Sequence, residues 1–133
     1  MPSVKALLEK QPLLVLNKPP GPTSHQAVDY TKDILGVDKA GHGGTLDPNV
    51  TGVLPIATGS ATRITHALLG STKEYICLAD FHDPITDDAP REPINDYTGE
   101  IPQTPPVKSS VNREPRQRTI QAIEVCDKHD QQI

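Results

Sequence analysis

Asp47 is the residue of this chain whose surroundings most favour a catalytic role. It is the only carboxylate in residues 39–59, KAGHGGTLDPNVTGVLPIATG, a segment otherwise built for backbone shape. Pro48 disfavours helical angles at Asp47, and the glycines at 41, 43, 44 and 52 let another part of the chain come close. We therefore expect an acid at a fixed position on an open, concave loop, where a carboxylate can act as nucleophile or base. The alternative is an ordinary Asp-Pro turn in a glycine-rich loop.

The elements that must position this loop begin with a strand and a turn. Residues 13–16, LLVL, form a short apolar run that predicts a buried strand. The turn KPPGPTS, residues 18–24, follows it and places Lys18 at the strand end. There Lys18 has three alternative roles: support of the loop, contact with a phosphate, or simple solvation.

Two helices are predicted from capping residues and apolar spacing. The first runs from about Ser24 to Leu35, with Thr23 or Ser24 as its cap and Gly36 as its stop. The second covers Ala61–Leu69, directly after the loop and its exit strand.

The remaining strands are predicted from short apolar or alternating runs. Val53–Ala57 anchors the loop from behind, Lys73–His82 follows the second helix, and Thr119–Val125 is the last strand. A short helix is predicted near Arg91–Tyr97 and a hairpin turn at Lys128–Gln131.

Composition favours one domain with a modest aliphatic core. The chain has 133 residues, 3% aromatic residues and 14 prolines, about twice the usual share of ~5%. That excess of proline favours strands, turns and loops over long helices. No apolar run approaches the ~18 residues of a membrane span, and the N-terminus lacks a signal-peptide pattern. Cys77 and Cys126 are therefore predicted to be free, buried thiols of a cytoplasmic protein.

The net negative charge of the chain comes from one short segment. Residues 80–100 hold seven acidic residues and one basic residue, whereas the flanking regions each carry a slight positive excess and the whole chain is −4. Residues 101–118, IPQTPPVKSSVNREPRQR, are proline-rich and basic, with Lys108, Arg113, Arg116 and Arg118 against Glu114. This stretch is interpreted as a loop touching RNA phosphates or as a surface linker.

Four segments resemble the TruB/dyskerin family of RNA pseudouridine synthases. GHGGTLDPNVTGVLP resembles the catalytic motif of that family, and KPPGPTS resembles its first motif, a turn next to the active site. The Lys-Glu-Tyr at residues 73–75 follows a helix as in the family, and QTPPVKSS resembles a Gln-x-Pro-Pro-x-x-Ser-Ala segment, with Ser110 where alanine is usual. The resemblance covers residues 12–126.

The resemblance implies a fold, a reaction and a site. The fold is α+β, a mixed, largely antiparallel sheet with a few short helices. The reaction isomerises uridine to pseudouridine in tRNA or rRNA, with no cofactor and no metal. Asp47 is the implied catalytic residue, and Tyr75 stacks on the target base, where core packing is the alternative. His42 fills the gap left by the flipped nucleotide or is a hydrogen-bonded loop histidine. The further implied RNA-binding residues are Lys18, Gly44, Thr45 and Arg63, the last with a solvated helix face as its alternative.

The chain matches only the first half of the family's catalytic domain. Residues 1–11 are expected to be a poorly ordered lead-in and residues 12–133 the N-terminal part of that domain. The second half, with its Tyr-Ile-Arg-type motif, and the RNA-binding PUA domain are absent, so we expect a truncated form, active only in a larger context. NVTG and REPRQRTI are most similar to the archaeal, guide-RNA-associated branch, which works with accessory ribonucleoprotein subunits.

Two other functions compete with a pseudouridine synthase. One is a non-catalytic fragment that binds RNA or protein. The other, a phosphate-binding loop in a small-molecule enzyme, is disfavoured because no Gly-Lys-Ser/Thr follows the glycines and Asp47 would repel phosphate.

Overall fold

The computed structural model describes residues 12–83, 94, 96–105 and 114–133. Its contacts divide the chain into two compact units, Met1–Glu74 and Tyr75–Ile133. The lead-in expected over residues 1–11 lies outside the described residues, as do most of the helix predicted near Arg91–Tyr97 and residues 106–113 of the basic stretch. No helix in the described part of the chain is long and apolar enough to cross a membrane.

The first unit is a small sheet covered by a helix. Its elements in order are β1 (Leu13–Lys18), α1 (Ser24–Leu35), β2 (Ala40–His42), β3 (Gly52–Thr58), a 3-10 helix (Gly59–Ile64) and α2 (Thr65–Leu69). The sheet order is β1-β3-β2 and both pairings are antiparallel. The loop that carries Asp47 therefore leaves the edge strand β2 and returns as the central strand β3.

Helix α1 has the bounds and the ends that its sequence predicts. Thr23 is the cap: its hydroxyl accepts a hydrogen bond from Gln26 N at 3.1 Å, and the Gln26 side chain accepts one from Thr23 N at 2.9 Å. This reciprocal pair satisfies two donors at the helix start that would otherwise lack partners. Gly36 ends the helix in the left-handed conformation, at φ 62°, which costs glycine little because it has no Cβ.

A small aliphatic core joins α1 to the sheet. Ala27 and Val28 of α1 pack on Leu54 and Ile56 of β3, and all four are buried. Leucine and isoleucine side chains buried in this way contribute about 1.5–3 kcal/mol each. Partly buried hydrophobic residues surround this cluster: Leu14, Leu16, Ala40 and Leu46. Leu46 lies directly before Asp47, so the candidate loop is rooted in the core.

Strand β1 is half-buried, whereas the sequence predicted a buried strand. Leu14, Leu16 and Lys18 face the core, while Val15 is 71% exposed. The reason is that β1 is an edge strand with only one face packed, so successive side chains alternate between core and solvent. Because residues 13–16 are all apolar, the sequence itself does not show this alternation.

The second predicted helix is two short helices in succession. The 3-10 helix precedes α2, which Gly70 follows. Thr62 Oγ1 donates to Gly59 O at 3.0 Å and Thr65 Oγ1 donates to Thr62 O at 2.8 Å. Hydroxyl donors that reach carbonyls three residues back compete with the α-helical pattern and favour the tighter turn. A prediction from apolar spacing alone misses this competition.

In the described part of the second unit, β4 (Gly99–Gln103) and β5 (Arg116–Ile120) form an antiparallel pair. The last strand thus begins and ends earlier than the predicted Thr119–Val125. The strand predicted over Lys73–His82 is wrong: only one isolated bridge forms there, Asp80 with Gln132. An alternating pattern shows that a segment can pair, but a strand requires a neighbour along its whole length.

The end of the described chain folds back on this segment. Ala79 and Ile133 exchange two backbone hydrogen bonds of 2.7 and 3.1 Å, and Phe81 N donates to Gln131 O. The tight turn lies at His129–Gln132, one residue beyond the predicted position, with Asp130 at φ 52°. Cys77 and Cys126 are free, as predicted, but both are exposed rather than buried. The mixed α+β class with antiparallel sheets is confirmed.

Gly43 permits the close approach of the candidate loop to α2. Its N–H donates to Pro55 O at 2.8 Å, and Pro55, which has no N–H, cannot return the bond, so the β2–β3 ladder ends here. A Cβ on Gly43 would lie 2.8 Å from both Cβ and Cδ1 of Leu68. That distance is below van der Waals contact, so only glycine fits without a shift of the loop or of α2.

Replacement of Gly43 by alanine is expected to lower the free energy of unfolding by about 1–3 kcal/mol, because the added methyl overpacks this contact. Urea unfolding of the chain measures the effect. Gly44→Ala is the matched control, since nothing lies within 4 Å of its Cβ position. Leu68→Ala should relieve part of the Gly43→Ala cost in the double variant. Simple additivity of the two substitutions would contradict the contact.

Candidate active site

The Asp47 carboxylate is exposed and has no hydrogen bond or ion pair among the residues that the structure describes. Its backbone carbonyl accepts from Val50 N at 3.1 Å, closing a β-turn with Pro48 and Asn49 at the centre. Asn49 does not have positive φ, which excludes a type II turn. An aspartate that merely starts a turn commonly binds a backbone N–H two residues on through its side chain. Here the carboxylate is left available for another partner.

Lys18 supports the loop from beneath. The side chain is 0% exposed, and its ammonium group donates to three carbonyl oxygens: Pro19 at 3.0 Å, Pro48 at 3.2 Å and Val50 at 2.8 Å. A lysine has three N–H donors, so these bonds use all of them. Among the three roles predicted for Lys18, the geometry favours support of the loop, because all three donors are used by carbonyls. Contact of Lys18 with RNA stays a prediction.

Backbone bonds from the preceding turn hold the same loop. Gly21 N donates to Pro48 O at 2.8 Å. The hydroxyl of Ser24 bonds both backbone groups of Leu46, a contact that sequence reasoning missed because a serine at a helix start is first read as a cap. The turn KPPGPTS and the loop around Asp47 thus form one hydrogen-bonded unit.

His42 is part of β2 and lies at the start of the loop. Its Nδ1 is buried without a hydrogen-bond partner in the described part of the chain, and the ring meets His25 edge to face, with centroids 5.7 Å apart at 77°. The prediction of a hydrogen-bonded loop histidine therefore finds no support in the described residues. The contact that the structure shows for the ring is its packing against His25.

Three further candidates lie in the same unit. Thr45 is exposed and Gly44 has open space around its Cβ position, so the loop surface just before Asp47 is unobstructed. Arg63 lies on the 3-10 helix, exposed and without a hydrogen-bond or ion-pair partner among the described residues. An exposed guanidinium of this kind suits a phosphate.

Tyr75 and two arginines of the predicted basic stretch lie in the second unit. Tyr75 is 65% exposed, so it is not core packing there, and its role with a base stays a prediction. Arg116 and Arg118 point to one face of β5, because residues two apart on a strand share a face. The other basic residues of that predicted stretch, Lys108 and Arg113, lie outside the described residues.

Comparison with known families gives a match over most of the chain. Residues 32–133 match the family described as TruB family pseudouridylate synthase (N terminal domain). The chain is 49% identical over 112 residues to a protein named probable tRNA pseudouridine synthase B from Pyrococcus abyssi, covering 84% of this chain and 34% of that protein. A protein of the same name from Halobacterium salinarum is 49% identical over 121 residues, covering 89% and 39%. The chain thus spans between a third and two fifths of the length of these relatives.

Solved structures show the same fold. A chain of a Cbf5-Nop10-Gar1 complex matches with a TM-score of 0.84 and 46% identity, covering 90% of this chain and 36% of that one. A chain in an H/ACA ribonucleoprotein bound to a substrate RNA containing 2′-deoxyuridine matches with a TM-score of 0.81 and 38% identity, covering 98% and 39%. Sequence motifs, family match and fold agree, and this chain belongs to the TruB family of pseudouridylate synthases.

Proposed function

We propose that this chain supplies the catalytic aspartate of an RNA pseudouridine synthase that isomerises specific uridines in tRNA or rRNA. The observation that carries the proposal is the Asp47 carboxylate, exposed and unpartnered among the described residues, on a loop whose neighbouring peptides are tied down. The hydrogen-bonded backbone fixes where the acid lies, and its exposed carboxylate is open to a substrate. Membership of the TruB family supplies the reaction.

The reaction breaks the bond between uracil N1 and ribose C1′, turns the base over and joins C5 to C1′. The proton lost from C5 is balanced by the proton gained at N1, so the change is an isomerisation and consumes no oxidant or reductant. A carboxylate can add to the sugar, add to the base or remove a ribose proton. Each route needs one ionised acid held beside the nucleotide, which is the role assigned to Asp47.

The other residues bind and shape the substrate. A base taken out of an RNA stack loses its neighbours, and the exposed ring of Tyr75 offers a flat surface worth about 1–3 kcal/mol in replacement contacts. His42, held by packing against His25, occupies the space that the flipped base leaves. Gly44 and Thr45 line the approach, and Arg63 contacts a phosphate.

The partners are RNA and, in the guided branch of the family, a small guide RNA with accessory proteins. Two solved relatives support this: one is in a Cbf5-Nop10-Gar1 complex and the other is in an H/ACA ribonucleoprotein with substrate RNA. Because the chain spans a third to two fifths of its relatives, activity is assigned to the complete gene product that carries it. We place that product in the cytoplasm, in keeping with two free thiols.

Replacement of Asp47 by asparagine is expected to reduce turnover by about 10⁴-fold or more, while RNA binding stays nearly unchanged. The measurement is tritium release from RNA labelled at uridine C5. The RNA comes from cells that lack the gene, and it is incubated with the native assembly, wild type or variant, purified from its source cells. Asp38→Asn, an exposed acid of the same unit, is the control and should retain full turnover. Turnover by Asp47→Asn would rule out the assignment. Binding by the wild type without any release would favour a non-catalytic RNA-binding protein.

The substitution Lys18→Met distinguishes two roles of Lys18, support of the loop and contact with RNA. The substitution leaves three carbonyls without a charged donor, and bonds to charged groups are worth about 1.5–3 kcal/mol each, so unfolding should become easier by several kcal/mol in urea titrations. The slope of log RNA affinity against log salt should stay as in the wild type, because no phosphate contact is lost. A slope reduced by about one unit would instead show that Lys18 reaches a phosphate.

Tyr75→Leu should lower kcat/KM for tritium release by about 10–100-fold, the loss expected for one stacked base, whereas Tyr75→Phe keeps the ring and most of the rate. Tyr97 is also exposed in the second unit and is the matched control. Equal losses in Tyr75→Leu and Tyr97→Leu would show that the ring of Tyr75 has no special contact with the base.

A further inference from the structure

Ser24 contacts the residue directly before Asp47 through two hydrogen bonds. Its hydroxyl donates to Leu46 O at 3.1 Å and accepts from Leu46 N at 2.9 Å. The side chain is buried, with only 3% of the residue exposed. A hydroxyl has one proton and two lone pairs, and here a single backbone residue engages both functions.

These bonds fix the peptide plane that bears Asp47. The Leu46 carbonyl, the Asp47 nitrogen and the Asp47 Cα lie in one rigid plane. Holding the Leu46 oxygen therefore restrains where the Asp47 Cα lies and which way its side chain leaves the loop. On the far side, the carbonyl of Pro48 is held separately by Gly21 N and the Lys18 ammonium. Asp47 lies between two peptides that are each held from the turn.

Ser24 has no other task in the helix. Thr23, one residue earlier, accepts the capping hydrogen bond from Gln26 N. The hydroxyl of Ser24 is not used as a cap, and its two bonds go across 22 residues to the loop. A serine needed only for helix start would not require burial or this pair of bonds.

We propose that Ser24 is a positioning residue for the Asp47 carboxylate: its hydroxyl sets the place from which the acid reaches the reacting nucleotide. The proposal rests on the proposed function. Loss of the hydroxyl leaves Asp47 chemically intact but lets its peptide shift, and a misplacement of about 1 Å at a catalytic group can cost ~10²-fold in rate.

The test compares Ser24→Ala with Thr23→Ala in the native assembly, by tritium release from C5-labelled RNA. Ser24→Ala should lower kcat by about 10–100-fold with KM nearly unchanged, since RNA contacts remain. Thr23→Ala removes a hydroxyl from the same helix end and should lower the unfolding temperature without changing kcat. Ser24→Thr, which keeps a hydroxyl, should recover most of the rate. Unchanged kcat in Ser24→Ala, an equal loss in Thr23→Ala, or a rise in KM alone would overturn the proposal.

Amide hydrogen exchange at Leu46 gives a readout that does not depend on activity. The Leu46 N–H should exchange slowly in the wild type and in Thr23→Ala, and rapidly in Ser24→Ala. Fast exchange in the wild type would overturn the positioning role whatever the kinetics. If the wild type released no tritium, or if Asp47→Asn released it freely, the proposed function would fail. The positioning role of Ser24 in that reaction would then fail too. Exchange of the Leu46 N–H would still report whether its hydrogen bonds to Ser24 exist.

Discussion

The candidate site depends on one buried ammonium group. Lys18 ends β1 on the core side of the sheet, and its three N–H donors go to carbonyls on both the turn that follows it and the loop after Asp47. No carboxylate pairs with it among the described residues. The cation is therefore stabilised by backbone dipoles alone, and those dipoles must stay where they are. A buried charge of this kind forces a stretch of irregular backbone into one arrangement.

The remaining contacts of the loop follow from that constraint. Gly21 and Ser24 belong to the same turn as Lys18, so fixing the turn also places an N–H on Pro48 and a hydroxyl on Leu46. This turn leads directly into α1, whose Ala27 and Val28 pack on the central strand. The turn of residues 18–24 therefore connects the core, the start of α1 and the loop around Asp47. The loop is held by these separate hydrogen bonds, without a strand ladder of its own.

The sequence predicts the parts of this arrangement that follow from local chemistry. The bounds of α1, its glycine stop and the strand around Leu54 are readable because caps, breakers and apolar runs act over a few residues. The segments that bear the site were also recognisable by their resemblance to a family. Longer-range contacts were not recognisable: nothing local tells whether the Lys18 side chain points to solvent or to the carbonyls of Pro48 and Val50, which lie 30 and 32 residues away in the chain. The strand predicted over Lys73–His82 failed for the same reason, because pairing depends on a distant partner.

The polar groups around Asp47 fall into two kinds: backbone groups that are hydrogen-bonded within the protein, and side-chain atoms that have no partner among the described residues. Around Asp47 the backbone is bonded at Leu46, Pro48 and Val50, yet the carboxylate has no partner among the described residues. A buried polar atom without a partner usually costs about 1–3 kcal/mol, and His42 Nδ1 is such an atom at the start of this loop. A hydrogen-bond partner would remove that cost for the buried His42 nitrogen, whereas the exposed Asp47 carboxylate is hydrated and gains little stability from a partner. The bonded backbone groups fix where the exposed Asp47 carboxylate lies, and a fixed position of the acid is what the proposed catalytic role requires.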